Sequence, residues 1–150
     1  MPAEVVQDWL NTHPMQRQWS SLRVDRFDLV FDDDLARLRY LPELEKVSIL
    51  SSRITDRGVH HLLHLKNLKT LVILSRRVTN ACLTTIADLR SLEILDLQLC
   101  PRVSSAAFAS TVKRLPKLQE SFPPWGWFSL GTLRYFYYEW RALRRRAQVA

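Results

Sequence analysis

Three groups of side chains in this 150-residue chain have the types and spacing for chemistry, and each has a competing structural explanation. His60 and His64 lie one helical turn apart, so both imidazoles would reach one metal ion, but the glutamate of a metalloprotease helix is missing and His61 points elsewhere. Asp32, Asp33 and Asp34 would attract a hard cation. They lack the alternating ligands and glycine of a calcium loop, however, and suit a turn in which Asp34 caps the following helix. Cys82 and Cys100 are the only thiols; both fall in apolar slots, where cysteine acts as a small hydrophobe, and neither a short metal spacing nor an expected disulfide links them. No Ser/His/Asp order, glycine-rich phosphate loop or dinucleotide fingerprint is present. The expectation is a protein that binds, with no enzymatic activity, cofactor or metal.

The elements that would carry such side chains follow from a recurrence. Leu44, Leu68 and Leu92 are 24 residues apart; Val47, Leu71 and Leu95 follow three residues later, and Ile49, Ile73 and Leu97 two after that. Ile54, Val78 and Val103 close each strand-and-turn half. A repeat of this period means stacked units that share one core. Within each unit the two-residue alternation predicts a short strand, and the later apolar positions (Val59, Leu62 and Leu63; Leu83 and Ile86) predict a short helix behind it. Asp56 and Asn80 stand where a helix N-terminus wants an acceptor, although the Thr before each would share or take that role.

With these residues in view, VSILSSRITDRGVHHL and CPRVSSAAF resemble the leucine-rich repeat in its strand-plus-helix form, the latter similar to the cysteine-containing subtype. The resemblance covers roughly residues 41 to 120. It implies an α/β right-handed solenoid with a short parallel sheet on the concave side and helices on the convex side. The family's polar Asn/Cys slot would be filled by Ser52, Arg76 and Cys100, so its ladder would break at Arg76. The tandem form is similar both to bacterial tandem repeat proteins and to small mitochondrial leucine-rich-repeat assembly factors.

The ends of a stack need covers. Residues 1–23 are expected to form an N-terminal cap, with Val5, Val6, Trp9 and Leu10 striping a helix. Residues 24–120 hold one short repeat, three full ones and a degenerate fifth that starts at Leu115 and Leu118 and stops at Phe122, Pro123 and Pro124. In the short repeat Val24, Phe27 and Leu29 take the inward slots. Residues 121–150 hold nine of the fifteen aromatics and contribute +4 of the net charge of +7, and they read as a basic amphipathic helix. Arg134, Arg141 and Arg145 lie off its apolar side, with Arg146 beside them. Three roles fit: a cap over the last coil, attachment to an anionic membrane surface, or contact with an acidic partner such as RNA. The absence of any RNA-binding motif disfavours nucleic acid.

The strand alternation also names a binding face. Its outward positions are Arg26, Asp28 and Val30; Lys46, Ser48 and Leu50; Thr70, Val72 and Leu74; and Ile94, Asp96 and Gln98. Leu50, Val72, Leu74 and Ile94 would form an apolar patch with a charged rim, the mark of a protein-binding surface, unless the tail or a second copy of the chain covers it. The expected function is a non-enzymatic scaffold that holds a protein partner on this face; the alternative is a peripheral membrane or assembly adaptor attached through the tail. No run of 18 or more uncharged apolar residues spans a bilayer, and the N-terminus lacks a secretory pattern. A cytoplasmic location follows by default, with a mitochondrial or membrane-peripheral one as the alternative.

Overall fold

Leucines at 24-residue intervals go inward, and everything else in the fold is arranged around them. The structure, a computed structural model, describes residues 15–18, 21–24, 30–51, 53–97 and 99–124. Among these residues it is an α/β fold with six strands: β1 (Met15–Gln18), β2 (Ser21–Val24), β3 (Lys46–Leu50), β4 (Thr70–Leu74), β5 (Ile94–Asp96) and β6 (Glu120–Phe122). Their spatial order is their chain order. β2 through β6 run parallel, and β1 pairs antiparallel with β2 at one edge. Four α-helices fall between parallel strands: α1 (Asp32–Leu35), α2 (Asp56–His60), α3 (Cys82–Ala87) and α4 (Ser105–Val112). The first two pass directly into 3-10 turns, Ala36–Tyr40 and His61–His64. Among the described residues no helix is long and apolar enough to cross a membrane.

Register follows the repeat. Lys46, Thr70 and Ile94 are Cα partners across β3, β4 and β5, as are Val47, Leu71 and Leu95. Because side chains alternate along a strand, this places Val47, Ile49, Leu71, Ile73 and Leu95 on one face. All five are buried in a single cluster with Leu44, Leu68 and Leu92 from the strand approaches and with Leu35, Val59, Leu62, Leu83 and Ile86 from the helical segments. The turn into each strand repeats as well. The carbonyl of Glu45 accepts from the N–H groups of Lys69 (2.7 Å) and Thr70 (2.9 Å), that of Lys69 from Glu93 (2.7 Å) and Ile94 (2.9 Å), and that of Glu93 from Gln119 (2.8 Å) and Glu120 (3.0 Å).

The first strand lies earlier than the sequence pattern predicts. β2 ends at Val24, and the buried residue paired with Val47 is Leu22. Val30, expected on the outward face, is fully buried, in the slot of Ile54 and Val78. The step from Leu22 to Val47 is 25 residues, one more than the repeat. One residue of slip reverses every side chain in a strand, so the register that buries both Leu22 and Val30 wins. Arg26, Asp28, Phe27 and Leu29 therefore follow β2 and lie outside the described residues, as does the expected cap helix at Glu4 to Leu10.

Helix starts distribute the polar work between neighbours. Thr55, not Asp56, caps α2: its Oγ1 accepts from the N–H of Arg57 at 3.3 Å. Ser104 does the same for α4 through the N–H of Ala107. The acids are thereby free to reach the adjacent repeat. Asp32 accepts from the N–H and the hydroxyl of Thr55 (2.8 and 2.6 Å), and Asp56 accepts from the same two groups of Thr79 (2.8 and 2.6 Å). Asn80 continues the series, its Oδ1 accepting from the N–H of Ser104 at 2.8 Å. Asp34 closes the start of α1 from inside by accepting from the N–H of Phe31 at 2.9 Å. Gly58 belongs to this arrangement: a Cβ there would collide with Asp32 Oδ1 and stand 3.0 Å from Ile54 Cγ2.

Candidate partner-binding face

The same alternation that buries Val47, Leu71 and Leu95 turns their neighbours to the opposite face of the sheet. Two rows of Cα partners cross that face: Lys46, Thr70, Ile94 and Glu120, then Ser48, Val72, Asp96 and Phe122. Leu50 and Leu74 begin a third. Thr70, Val72, Leu74 and Ile94 are half-buried, Ser48 is half-buried beside them, and Lys46 and Glu120 are exposed at the margin. Leu50 and Asp96 differ, retaining only 5% of their surface, although Leu50 is not part of the helix-side core cluster. Asp96 is thus a buried member of the middle row between Val72 and Phe122, where the sequence pattern puts it on a rim. Gln98, Arg26 and Asp28 lie outside the described residues, as do Arg134, Arg141, Arg145 and Arg146 of the tail.

Phe122 is the side chain that sequence reasoning missed on this face. The pattern stops the last unit at Phe122, Pro123 and Pro124, and β6 does end there, but not before Phe122 has paired with Asp96. The signal that marks it is Leu118, packed against the core in the slot of Leu92 and announcing one more strand.

Under the face, the polar slot in β4's unit is one residue earlier than the sequence pattern suggests. Ser51 and Ser75 are buried, and Ser52 lies outside the described residues. The Ser51 hydroxyl donates to the Val30 carbonyl at 3.1 Å and the Ser75 hydroxyl to the Ile54 carbonyl at 2.7 Å. Each also accepts from the N–H two residues on, that of Arg53 or Arg77. Arg76 is exposed and takes no part in this series, and buried Cys100 donates its thiol to the carbonyl of Ile73 in β4 at 3.3 Å.

The other candidates resolve into structural parts. Burial pushes the Cys100 thiol up to about 12, and it raises Cys82 as well, so both are protonated at neutral pH. Thiolate, not thiol, is the nucleophile. His60 and His64 are exposed, whereas His61 is half-buried with Nε2 closed off and no hydrogen-bond partner. Burial, and then the Arg57 and His60 charges, hold His61 below the ordinary histidine range. Of the acidic run, Asp32 bridges to Thr55 and Asp33 pairs with Arg57 at 2.8 Å. Among the described residues no group of three His, Cys, Asp or Glu side chains is placed to hold a metal ion.

No protein-family model matches the chain, and no curated protein does.

Proposed function

We propose that this chain is a leucine-rich-repeat solenoid acting as a non-enzymatic scaffold, and that it holds a protein partner on the outer face of the sheet, centred on Val72 and Leu74. The observation that carries the reading is the contrast within β4. Leu71 and Ile73 are spent on the core, while Thr70, Val72 and Leu74 stand half-exposed on the other side, flanked in register by Ser48 and Ile94. Apolar side chains displayed on a hydrogen-bonded platform lose little conformational entropy on contact, and a polar margin at Lys46 and Glu120 supplies orientation. Buried, unpaired Cys82 and Cys100 suit a reducing, cytoplasmic setting.

The double variant Val72→Asp with Leu74→Lys is expected to keep its circular dichroism spectrum while losing partner capture from extracts of the native source. Both positions face away from the core, so folding tolerates the charges, whereas an apolar interface does not. Capture equal to that of the unaltered protein would place the partner elsewhere.

A further inference from the structure

Stacked repeats put the same slot of successive units next to one another, about 4.8 Å apart along the sheet, so the charge in each slot is a test of what that edge is for. At the edge where the chain enters the strands, the slot reads Glu45, Lys69 and Glu93. The signs alternate, and Lys69 bonds Glu45 at 3.0 Å. In the first turn of the helices the neighbouring pair Asp33 and Arg57 is complementary too. At the edge where the chain leaves the strands, the residue immediately before each buried Ile54, Val78 and Val103 is arginine: Arg53, Arg77 and Arg102. All three are exposed. The backbones of Arg53 and Arg77 are fixed identically, each N–H donating to the serine two residues before, and Arg102 is bridged in parallel to Thr79. None has a carboxylate within ion-pair distance among the described residues.

Like charges gathered along one edge repel, and among the described residues no ion pair offsets it. The same edge also holds both large hydrophobic side chains that are exposed among the described residues, Phe31 at 48% and Leu99 at 39%. Phe31 lies at the first unit, with the Arg53 guanidinium 5.3 Å from its ring centroid, and Leu99 lies at the fourth, three residues before Arg102. The row therefore runs apolar, basic, basic, then basic with apolar.

We infer that this arginine edge is a second binding surface, distinct from the sheet face, and that it takes an extended acidic polypeptide segment carrying apolar residues. Guanidinium forks suit carboxylates in pairs, and three steps across the units span about 15 Å, the reach of four or five extended residues. A nucleic-acid strand fits less well: stacking needs open aromatic faces, and Phe31, the aromatic ring described on this edge, already has a guanidinium against it. The inference does not depend on what the sheet face binds.

The test uses the full chain and fluorescein-labelled synthetic decapeptides in fluorescence anisotropy at low salt. One peptide is Asp/Glu-rich with a Phe and a Leu four residues apart, its neutral counterpart carries Asn and Gln, and an oligothymidylate serves as the nucleic-acid probe. The acidic peptide is expected to bind, to weaken as salt rises, and to bind about tenfold more weakly to Arg77→Glu with Arg102→Glu. Leu99→Ser should weaken it by a smaller factor, and Val72→Asp with Leu74→Lys should leave it unchanged. All of these positions are outside the core, so the thermal midpoint should move little. Equal binding of the neutral peptide, indifference to the arginine reversals, tighter binding of the oligothymidylate, or no binding by the unaltered chain would each overturn the inference.

Discussion

Leu71→Ala is expected to remove about 3 kcal/mol of unfolding free energy, within the range of about 2–5 kcal/mol for deleting most of a buried leucine. Leu71 has no exposed surface, sits on the strand flanked by β3 and β5, and pairs in register with Val47 and Leu95. Its loss leaves a void that the shared core cannot close without shifting two neighbouring strands. A domain of this size has total stability of about 5–15 kcal/mol, so the loss is a large share, and the thermal midpoint should fall by roughly 6–12 °C. Thr70→Ala, one residue away and facing out, is the comparison: its cost should be under about 0.5 kcal/mol. Denaturant unfolding of the two variants checks the pair.

The second large effect concerns the polar seam between units. Asp56→Ala deletes one carboxylate that accepts both the N–H and the hydroxyl of Thr79, and charge-assisted bonds of this kind are worth about 1.5–3 kcal/mol. The expected cost is about 2–3 kcal/mol, because the half-buried Thr79 N–H is left without its acceptor. Asp56→Asn should cost less, since the next step of the series already uses an amide: Asn80 accepts from the Ser104 N–H and donates Nδ2 to its hydroxyl at 3.3 Å. A double-mutant cycle with Thr79→Ala should give a coupling of about 1–2 kcal/mol, while a cycle between Asp56 and the distant Ser104 should give a value near zero. Near-additivity of Asp56→Ala and Thr79→Ala would mean that the seam contributes nothing to holding the units together.

How much of this was legible in the sequence depended on whether two signals agreed. From Leu44 to Val103 the apolar spacing and the turn residues point to the same register, and the strands, their inward residues and the short helices lie where the recurrence puts them. The outer-face positions of Lys46, Ser48, Thr70, Val72 and Ile94 follow from that register alone. Where the period changes, the pattern misleads. Val24, Phe27 and Leu29 fit the apolar template, but the step to β3 is 25 residues, and the strand that buries Leu22 lies earlier. The step from β5 to β6 is 26, which hid Phe122 behind two prolines. β1 is not visible at all: Met15, Gln16, Arg17 and Gln18 have no alternation, and only antiparallel pairing with β2 makes a strand of them. Alignment of Arg76 with Cys100 puts the polar slot of β4's unit one residue too late. Burial distinguishes Ser75 from Arg76, and a linear pattern does not record burial.

The choice of Thr55 over Asp56 as a cap has the same origin. Either side chain satisfies the local rule, and the decision comes from the adjacent unit, where Thr79 offers two donors that only the longer-reaching acid can meet. A residue's role in a stack is set by its neighbour one unit away as much as by its own turn.

An aspartate scan of β4, reading soluble folded protein and partner capture separately at each of Thr70, Leu71, Val72, Ile73 and Leu74, tests the division of labour between the two faces of the strand. A two-residue alternation is expected: Leu71→Asp and Ile73→Asp abolish folded protein, while Thr70→Asp, Val72→Asp and Leu74→Asp leave it folded and weaken capture. If both readouts instead fall together at the same positions, or if the outward substitutions unfold the chain and leave capture by any remaining protein intact, the sheet face is not the binding surface.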